Sequence, residues 1–527
     1  MPNLPGWWGD TTFYEIFVRS FYDSNGDGIG DINGIIDKLD YLNDGNPATT
    51  ADLGVTGIYL MPISPSLAYH GYDITDYYGI NPDYGTIDDF KNLITEAHAR
   101  GIRVIVDFVP NLCSYWHPWF QDAIASSEAS KRNWFIWSET DPGYLGPWGQ
   151  QVWWSTTEAG TTSYYYGLYG QYTPDLNYLN SDVVGEMENV VRFWLQQVGV
   201  DGFRIDSAKH IIEEGQLQEN TNLTHNFWKN WRLNFKNTNP DAISIGEVME
   251  GATCGTVDLA KYVQGDELDA VFNFYLGWAI LDSLNSGTTT SFINSITESA
   301  NLIPIGQISP MITNHDLSRV MSQLGSSIPK AKAAASLMLT SPGTPFIYYG
   351  EEIGMEGSLP DIYVRFPMQW SGGPNAGFTT GTPWPLPGFP WPPSNYTTVN
   401  VAAQTSDPDS LLSYYRRLIS LRNNHIALRV GGFNNITTNN NAVYAGLRFH
   451  TSEAIVAIVN MSSSPVTDCT LSLTSGPLPQ GEYLVSPLMG GGTFTDLAVN
   501  DNGEINNYLL TTTIPAYGAI ILDLQPK

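Results

Sequence analysis

The chain has 527 residues, a length that suggests two to four domains, and 42% of its residues are hydrophobic, so large cores can form. It carries 53 acidic and 24 basic residues, and its formal net charge of −29 makes nucleic acids and anionic membranes poor partners. No run of 18 apolar residues occurs, which argues against a transmembrane helix. The three cysteines, Cys113, Cys254 and Cys469, lie far apart and lack metal-ligand spacing.

The first eight residues have neither the charged region nor the apolar region of a signal peptide. We expect a secreted protein whose signal peptide is absent from this sequence, with a cytoplasmic protein as the alternative.

A loop rich in Asp and Gly follows the first predicted strand. It places oxygen-bearing side chains at its positions 1, 3, 5 and 9, which are Asp23, Asn25, Asp27 and Asp31. This spacing is typical of the first part of an EF-hand calcium loop, but position 12 is Gly34 instead of glutamate, so the loop is not an EF-hand. The alternative is an Asn/Asp/Gly turn without a metal.

Eight short apolar runs alternate with helix-like stretches over the first 350 residues. The runs cover residues 13–17, 55–61, 104–109, 198–205, 243–248, 271–275, 311–313 and 345–349. Helical patterns between them include residues 87–99, 183–197 and 330–339. This βα repeat predicts an α/β fold, a (β/α)8 TIM barrel.

Two segments do not fit the repeat. Residues 112–178 are too long for one helix and hold 7 of the 16 tryptophans, which predicts a small domain inserted after strand three. Those tryptophans would either line a sugar cleft or form the core of that domain. From about residue 430, short alternating strands such as 442–449 and 454–459 predict a C-terminal antiparallel β-sandwich. We therefore expect barrel segments at 1–111 and 179–428, the inserted domain at 112–178 and the sandwich at 429–527.

Polar residues end three of the predicted barrel strands: Arg204 and Asp206, then Glu247, then His315 and Asp316. Arg204 and Asp206 point to the same side of their strand, so the arginine would keep the carboxylate ionised, as a nucleophile requires. Alone, this pair would more often be a buried structural ion pair. Because barrel active sites lie where the strands end, we expect all three carboxylates at one mouth, and two carboxylates suffice to cleave a glycosidic bond.

With these motifs the chain resembles glycoside hydrolase family 13, the α-amylase family, over essentially its whole length. The resemblance is carried by residues 202–206, 246–247, 314–316, 107–111, 70–73, 173–177 and 365–370. It implies that Asp206 is the nucleophile of a retaining reaction, that Glu247 is the general acid and then the base, and that Asp316 holds the sugar hydroxyls. We then expect Asp206 and Glu247 about 5 Å apart and a raised pKa for Glu247.

The resemblance also implies the residues that contact the substrate: Tyr72, Arg204, Lys209, His210, His315, Asp361 and Arg365. The pair Lys209-His210 is similar to that of α-amylases, whereas the loop at 365–370 is similar to that of glucosidase-like members, which places the chain between the two groups. The alternative for Lys209 and His210 is a solvated start of a helix.

Two calcium sites are implied as well. The first is similar to a loop of oligo-1,6-glucosidase-like members, in which Asp23, Asn25, Asp27, Asp31 and the Ile29 carbonyl would bind the ion. The second is similar to an α-amylase site, in which Asn111, Asp175 and the His210 carbonyl would tie the inserted domain to the barrel.

One residue departs from the family pattern. Leu112 stands where the family has a histidine that donates a hydrogen bond to the primary hydroxyl of the reacting sugar. Losing that donor predicts slower turnover and a shift from hydrolysis to glycosyl transfer.

The leading hypothesis is a monomeric retaining hydrolase that cleaves α-1,4 bonds of starch or maltooligosaccharides, with α-glucan as its partner molecule. The alternative within the enzyme class is an exo-acting α-glucosidase or an α-glucosyltransferase. The alternative from another class is a non-catalytic relative, either a carbohydrate-binding protein or a subunit associated with a membrane transporter.

Overall fold

The computed structural model describes residues 6–158, 161–249, 255–384 and 391–527. Its main sheet has eight parallel strands: Phe13–Ile16, Gly57–Leu60, Arg103–Phe108, Gly202–Ile205, Ile243–Gly246, Ala270–Asn273, Ile308–Pro310 and Phe346–Tyr348. Each of the first six pairs with the next along the chain, and the first also pairs with the eighth. A parallel bridge between Met311 and Phe346 joins the seventh strand to the eighth. The predicted barrel is confirmed.

The barrel strands are apolar because they are buried on both faces. Inside the barrel, Phe13 and Phe346 stack with ring centroids 4.5 Å apart. Gly202 starts the fourth strand at a φ of 155°, and a Cβ there would lie 2.2 Å from the carbonyl oxygen of Ile243. Only glycine therefore lets the fourth and fifth strands approach this closely, and the fourth strand carries Arg204 and Asp206.

The structure corrects two of the predicted strands. The fourth begins at Gly202 and not at residue 198, because the preceding helix continues as a π-helical turn, Phe193–Val198, that ends at Gly199 with a φ of 100°. The seventh is Ile308–Pro310 and not residues 311–313, of which only Met311 makes a strand-like bridge. The apolar runs predicted the approximate positions of both strands. The first and last residues of the strands depend on neighbouring turns and helix ends, which the runs do not show.

Helices cover the outside of the barrel, as the βα pattern predicts. The α-helices outside the inserted segment are Val18–Phe21, Ile32–Asp37, Leu39–Leu42, Ile87–Ala99, Ser181–Arg192, Asn222–Thr238, Thr256–Lys261, Phe274–Ser286, Thr290–Leu302, Val320–Gln323, Ile328–Thr340, Asp361–Val364, Val401–Thr405, Leu411–Asn424 and Ile426–Val430. The helix Ile87–Ala99 has the predicted limits because Thr86 and Asp89 form a capping box at its start.

The segment predicted as an inserted domain contains the helix Pro118–Ala125 and a three-stranded antiparallel sheet. Its strands are Trp137–Ser138, Trp153–Glu158 and Thr161–Tyr166, with the last in the centre. Trp134 and Trp153 are buried, whereas Trp148 is half exposed. Trp134 and Trp153 therefore belong to hydrophobic cores, whereas a contact of Trp148 with sugar stays a prediction.

The C-terminal part is an antiparallel sheet of eight strands around a second hydrophobic core. The strands are Gly432–Thr438, Val443–His450, Glu453–Asn460, Thr470–Leu473, Gly481–Met489, Leu497–Val499, Ile505–Leu509 and Ala519–Pro526. The two outermost strands of the sheet contact each other, so the sheet folds back on itself as a sandwich does. The predicted fold class is confirmed. Among the described helices, none has both the length and the apolar character needed to cross a bilayer.

Candidate active site

A cavity of about 480 Å³ opens at the carboxyl ends of the barrel strands. All three predicted carboxylates, Asp206, Glu247 and Asp316, line it. The other lining residues are His70, Tyr72, Leu112, Trp148, Tyr169, Thr173, Ser207, Lys209, His210, Met249, Asp361 and Arg365. The remaining two predicted contacts, Arg204 and His315, are almost fully buried beside the carboxylates. The barrel therefore brings together every substrate residue that the sequence predicts.

Arg204 connects three of the buried acids. Its Nη1 donates to Asp107 Oδ1 at 2.8 Å and to Asp206 Oδ1 at 2.6 Å, and its Nη2 lies 2.7 Å from Glu247 Oε2. Burial acts to lower the pKa of Arg204, but the negative charges of Asp107 and Glu247 raise it well above its usual value. A permanently charged guanidinium thus fixes the positions of the nucleophile and acid candidates.

Glu247 has the protonation behaviour of a general acid. Burial raises its pKa to about 7, an effect that Arg204 opposes and that the charges of Asp206 and Asp316 strengthen. The carboxyl is therefore partly protonated at neutral pH and can give a proton to a leaving oxygen. The expected rise of this pKa appears in the structure.

Asp316 is held in the opposite state, as a carboxylate. His315 lies between two acids, with Nδ1 2.5 Å from Glu15 Oε1 and Nε2 3.0 Å from Asp316 Oδ2. Although burial opposes its charge, these acids raise the pKa of His315 to about 10, so the ring is an imidazolium that donates from both nitrogens. Burial likewise opposes ionisation of Asp316, but His315 and Arg365 hold its pKa well below the usual range.

The predicted pair Asp361–Arg365 forms at the rim of the cavity. Arg365 Nη1 lies 3.0 Å from Asp361 Oδ2, and Nη2 lies 2.7 Å from Asp316 Oδ1. Tyr69, which the sequence did not single out, donates its hydroxyl to Asp361 at 2.5 Å. Tyr72 stacks beside His315 and donates to Asp107 at 2.9 Å, so its ring is fixed at the cavity wall.

Lys209 and His210 are buried, so the alternative of a solvated helix start is wrong. Lys209 Nζ forms an ion pair with Glu219 Oε2 at 2.7 Å, and His210 Nδ1 lies 2.8 Å from the carbonyl oxygen of Gln218. Both line the cavity next to Asp206. Their side chains are therefore fixed in place at one end of the site.

The predicted second calcium site contains buried oxygen atoms that lack hydrogen-bond partners among the described residues. Asn111 Nδ2 donates to the His210 carbonyl at 2.6 Å. Asn111 Oδ1, Asp175 Oδ2 and Glu213 Oε1 are buried with no hydrogen-bond partner in the described parts of the chain. Burial raises the pKa of Glu213 to about 8, and burial together with Glu213 raises that of Asp175. Such oxygens fit a hard cation, and the sequence did not reveal Glu213 because no spacing motif includes it.

At the predicted first calcium site, the loop at residues 23–31, backbone amides of the loop bind the oxygens of its side chains. Asp23 accepts hydrogen bonds from the amides of Asn25, Gly26 and Gly28, and Asp31 accepts from those of Ser24 and Gly34. Asn25 and Asp27 each accept from the amide two residues on, at Asp27 and Ile29. Within the described ranges, no three His, Cys, Asp or Glu side chains form a group that could hold a metal. Such amide bonds occur both in metal-free Asn/Asp/Gly turns and in calcium loops, so calcium at residues 23–31 stays a prediction.

Leu112 lies in the wall of the same cavity and is buried. Its side chain is apolar, so this position supplies no side-chain hydrogen-bond donor to the cavity. No sequence motif singles out two further lining residues, Tyr169 and Ser207, whose hydroxyl oxygens lie 2.6 Å apart.

A parallel barrel whose mouth holds one oriented carboxylate, one protonatable carboxyl and a third carboxylate between cations has the architecture of a glycoside hydrolase. Comparison with known proteins agrees with that class. The family model described as "Alpha amylase, catalytic domain" matches residues 15–431. The chain therefore belongs to the α-amylase family, glycoside hydrolase family 13, and is a glycoside hydrolase.

The relatives include both α-amylases and an oligo-1,6-glucosidase, the two groups between which the sequence motifs place this chain. The chain is 37% identical to alpha-amylase 3 of Dictyoglomus thermophilum over 460 residues, which cover 86% of this chain and 85% of the relative. It is 33% identical to the oligo-1,6-glucosidase of Parageobacillus thermoglucosidasius over 530 residues, covering 86% and 90%. Among solved structures, the alpha-amylase from H. orenii is 38% identical, with a TM-score of 0.81 and coverage of 98% and 100%.

Proposed function

We propose that this protein is a retaining hydrolase that cleaves α-1,4 bonds of starch-type glucans and maltooligosaccharides through a covalent glycosyl-enzyme. One observation carries the proposal: Asp206 and Glu247 are hydrogen-bonded to adjacent nitrogens of the single buried guanidinium of Arg204. That arrangement favours the short separation of about 5 Å that retaining enzymes use over the wider gap that an inverting enzyme needs for water.

The chemistry follows from the two protonation states. Asp206 attacks the anomeric carbon while Glu247 gives its proton to the leaving glycosidic oxygen, and a β-linked ester forms. Water then gives its proton to Glu247 and attacks the same carbon, and the electron pair of the ester bond returns to Asp206. Asp316, ionised between His315 and Arg365, accepts hydrogen bonds from the sugar hydroxyls throughout.

The raised pKa of Glu247 predicts the pH dependence of the first step. The protonated form is the active one, and it is lost as pH rises through about 7. We expect kcat/KM on maltoheptaose to fall about tenfold per pH unit above roughly pH 7. A profile measured from pH 5 to 9 checks this, and a value that stays level up to pH 9 would contradict the assignment of Glu247 as the acid.

The buried pair of Lys209 and Glu219 supports endo action. The pair fixes the cavity beyond Asp206, on the side where the resemblance places the reducing end of a longer chain. On maltoheptaose and soluble starch we expect mixed maltooligosaccharides as the first products. Glucose as the only early product would instead support an exo-acting α-glucosidase, and disaccharide or longer transfer products would support a glucosyltransferase.

We propose calcium at the second site. Asn111, Asp175, Glu213 and the His210 carbonyl would hold it, and it would tie the segment after strand three to the barrel. We expect millimolar calcium to raise the midpoint of thermal unfolding by several degrees, and a chelator to reverse this, because a ligand at about 100 times its Kd adds about 2.7 kcal/mol.

Two variants distinguish the predicted calcium sites. Asp175→Asn should abolish the calcium-dependent shift, and Asp27→Asn, in the loop at residues 23–31, should keep it. A shift that disappears with Asp27→Asn and persists with Asp175→Asn would reverse the assignment.

Leu112→His tests whether the apolar wall limits the reaction. A donor that strengthens in the transition state is worth about 10²-fold in rate, so we expect the variant to raise kcat/KM on maltoheptaose by up to about that factor. We also expect a smaller share of transfer products. Leu112→Met, which keeps the wall apolar, is the control. Unchanged rates and product ratios in Leu112→His would show that the leucine has no effect on turnover.

A further inference from the structure

Ser207, like Arg204, contacts both Asp206 and Glu247. Its backbone N–H donates to Glu247 Oε2 at 3.2 Å, and its hydroxyl donates to Asp206 Oδ2 at 2.8 Å. The residue has a φ of 50° and a ψ of 36°, in the left-handed region that a non-glycine residue seldom occupies. Such conformations cluster at functional sites, and here the conformation directs both donors of one residue at the reacting pair.

The direction of the hydrogen bonds is fixed by the carboxylate. An ionised Asp206 only accepts, so the single hydroxyl proton of Ser207 goes to Asp206 Oδ2. The hydroxyl of Tyr169, 2.6 Å from Ser207 Oγ, must then donate to Ser207. Tyr169 belongs to the segment predicted as the inserted domain, so a chain of two hydrogen bonds connects that segment to the nucleophile.

The two oxygens of Asp206 are not equivalent. Oδ1 accepts a charge-assisted bond from Arg204 at 2.6 Å, whereas Oδ2 accepts from the neutral hydroxyl of Ser207. Because the neutral bond is the weaker, Oδ2 is the oxygen that can be released to attack carbon, while Oδ1 becomes the ester carbonyl held by Arg204.

Given the proposed retaining reaction, on which this inference rests, we propose that Ser207 is a positioning residue that accelerates breakdown of the glycosyl-enzyme more than its formation. In the second step, water bonds to the anomeric carbon and gives a proton to Glu247. The bond from that carbon to Asp206 Oδ2 breaks, and the electron pair stays on Oδ2. The Ser207 hydroxyl donates to that developing charge. In the first step, Oδ2 loses negative charge as it attacks, so the hydrogen bond from Ser207 to Oδ2 must weaken. That hydrogen bond therefore does not assist the first step as it assists the second.

The test separates the two steps with 4-nitrophenyl α-maltoside as the probe. Its good leaving group makes the second step limit kcat, while kcat/KM reports the first step. For Ser207→Ala, which leaves the backbone N–H in place, we expect kcat to fall about 10- to 100-fold, as for loss of a hydrogen bond to a charged group. KM should fall by a similar factor, and a burst of about one nitrophenol per enzyme should appear.

Three further variants support the measurement. Ser309→Ala makes the same change at a buried barrel position whose hydroxyl lacks a partner in the described ranges, and should behave as wild type. Tyr169→Phe should also lower kcat, but by a smaller factor than Ser207→Ala. The double variant should have the same kcat as Ser207→Ala alone. Ser207→Gly also removes the hydroxyl and suits the left-handed conformation, so it replaces Ser207→Ala if alanine prevents folding.

Two different results would overturn the inference: one concerns the role of Ser207 alone, and the other concerns the proposed function. If kcat/KM falls as much as kcat in both Ser207 variants, with no burst, Ser207 has no preference for the second step, although the enzyme remains a glycosidase. If the wild-type protein releases no nitrophenol and forms no glycosyl-enzyme, the proposed function itself is wrong.

Discussion

Asp206→Asn is expected to lower kcat on maltoheptaose by about 10⁴-fold or more. The amide is nearly isosteric but is a poor nucleophile, so the covalent step loses its attacking group, and losses of this order follow removal of a nucleophile in other enzymes. Arg204 keeps two acidic partners, Asp107 and Glu247, so the fold should survive the change. The measurement is initial-rate kinetics beside a thermal unfolding curve.

A folded Asp206→Asn protein that keeps more than about one hundredth of wild-type kcat would contradict the role of Asp206, because binding and electrostatics alone cannot replace a nucleophile. Contaminating wild-type enzyme is excluded by titrating active sites with a slow covalent substrate, which labels only molecules that form the ester.

Glu247→Gln is expected to have the second largest effect, and the loss should depend on the leaving group. On maltoheptaose, whose leaving oxygen needs a proton, we expect kcat/KM to fall about 10²- to 10⁴-fold. On 4-nitrophenyl α-maltoside, whose leaving group needs little proton donation, kcat/KM should fall much less. The alkaline decline of the pH profile should also disappear, since the group with a pKa of about 7 is gone.

Azide provides the internal control for Glu247→Gln. As an anion it attacks the glycosyl-enzyme without a base, so it should restore turnover of the nitrophenyl substrate and yield an α-glycosyl azide. Equal losses on both substrates and no rescue by azide would show that Glu247 is not the acid and base.

The sequence predicted the fold and the three carboxylates of the cavity because both depend on local patterns. Buried parallel strands are continuous apolar runs, and polar residues directly after those runs must face the barrel mouth. Asp206, Glu247 and Asp316 therefore lie on one cavity, as expected. The strand limits were less accurate, since the π-helical turn before Gly199 has no distinct sequence pattern.

Contacts between distant segments were not predictable in the same way. The carboxylates at residues 23–31 have calcium-loop spacing, but spacing does not reveal that backbone amides within the same loop bind their oxygens. Glu213 comes close enough to Asp175 to raise its pKa, and Tyr169 contacts Ser207, only after the chain between them has folded. The sequence also did not show that Lys209 is buried, because its charge is neutralised by an ion pair with Glu219 that forms in the folded chain.

The most direct test of the account is the anomeric configuration of the first products from maltoheptaose, followed by proton NMR in the first minutes of the reaction. A covalent intermediate on Asp206 followed by water attack inverts the anomeric carbon twice. We therefore predict that α-maltooligosaccharides of mixed length appear first and only later mutarotate to the equilibrium mixture of α and β anomers. Initial appearance of the β anomer would mean a single displacement, and it would contradict a mechanism built on the carboxylates joined by Arg204.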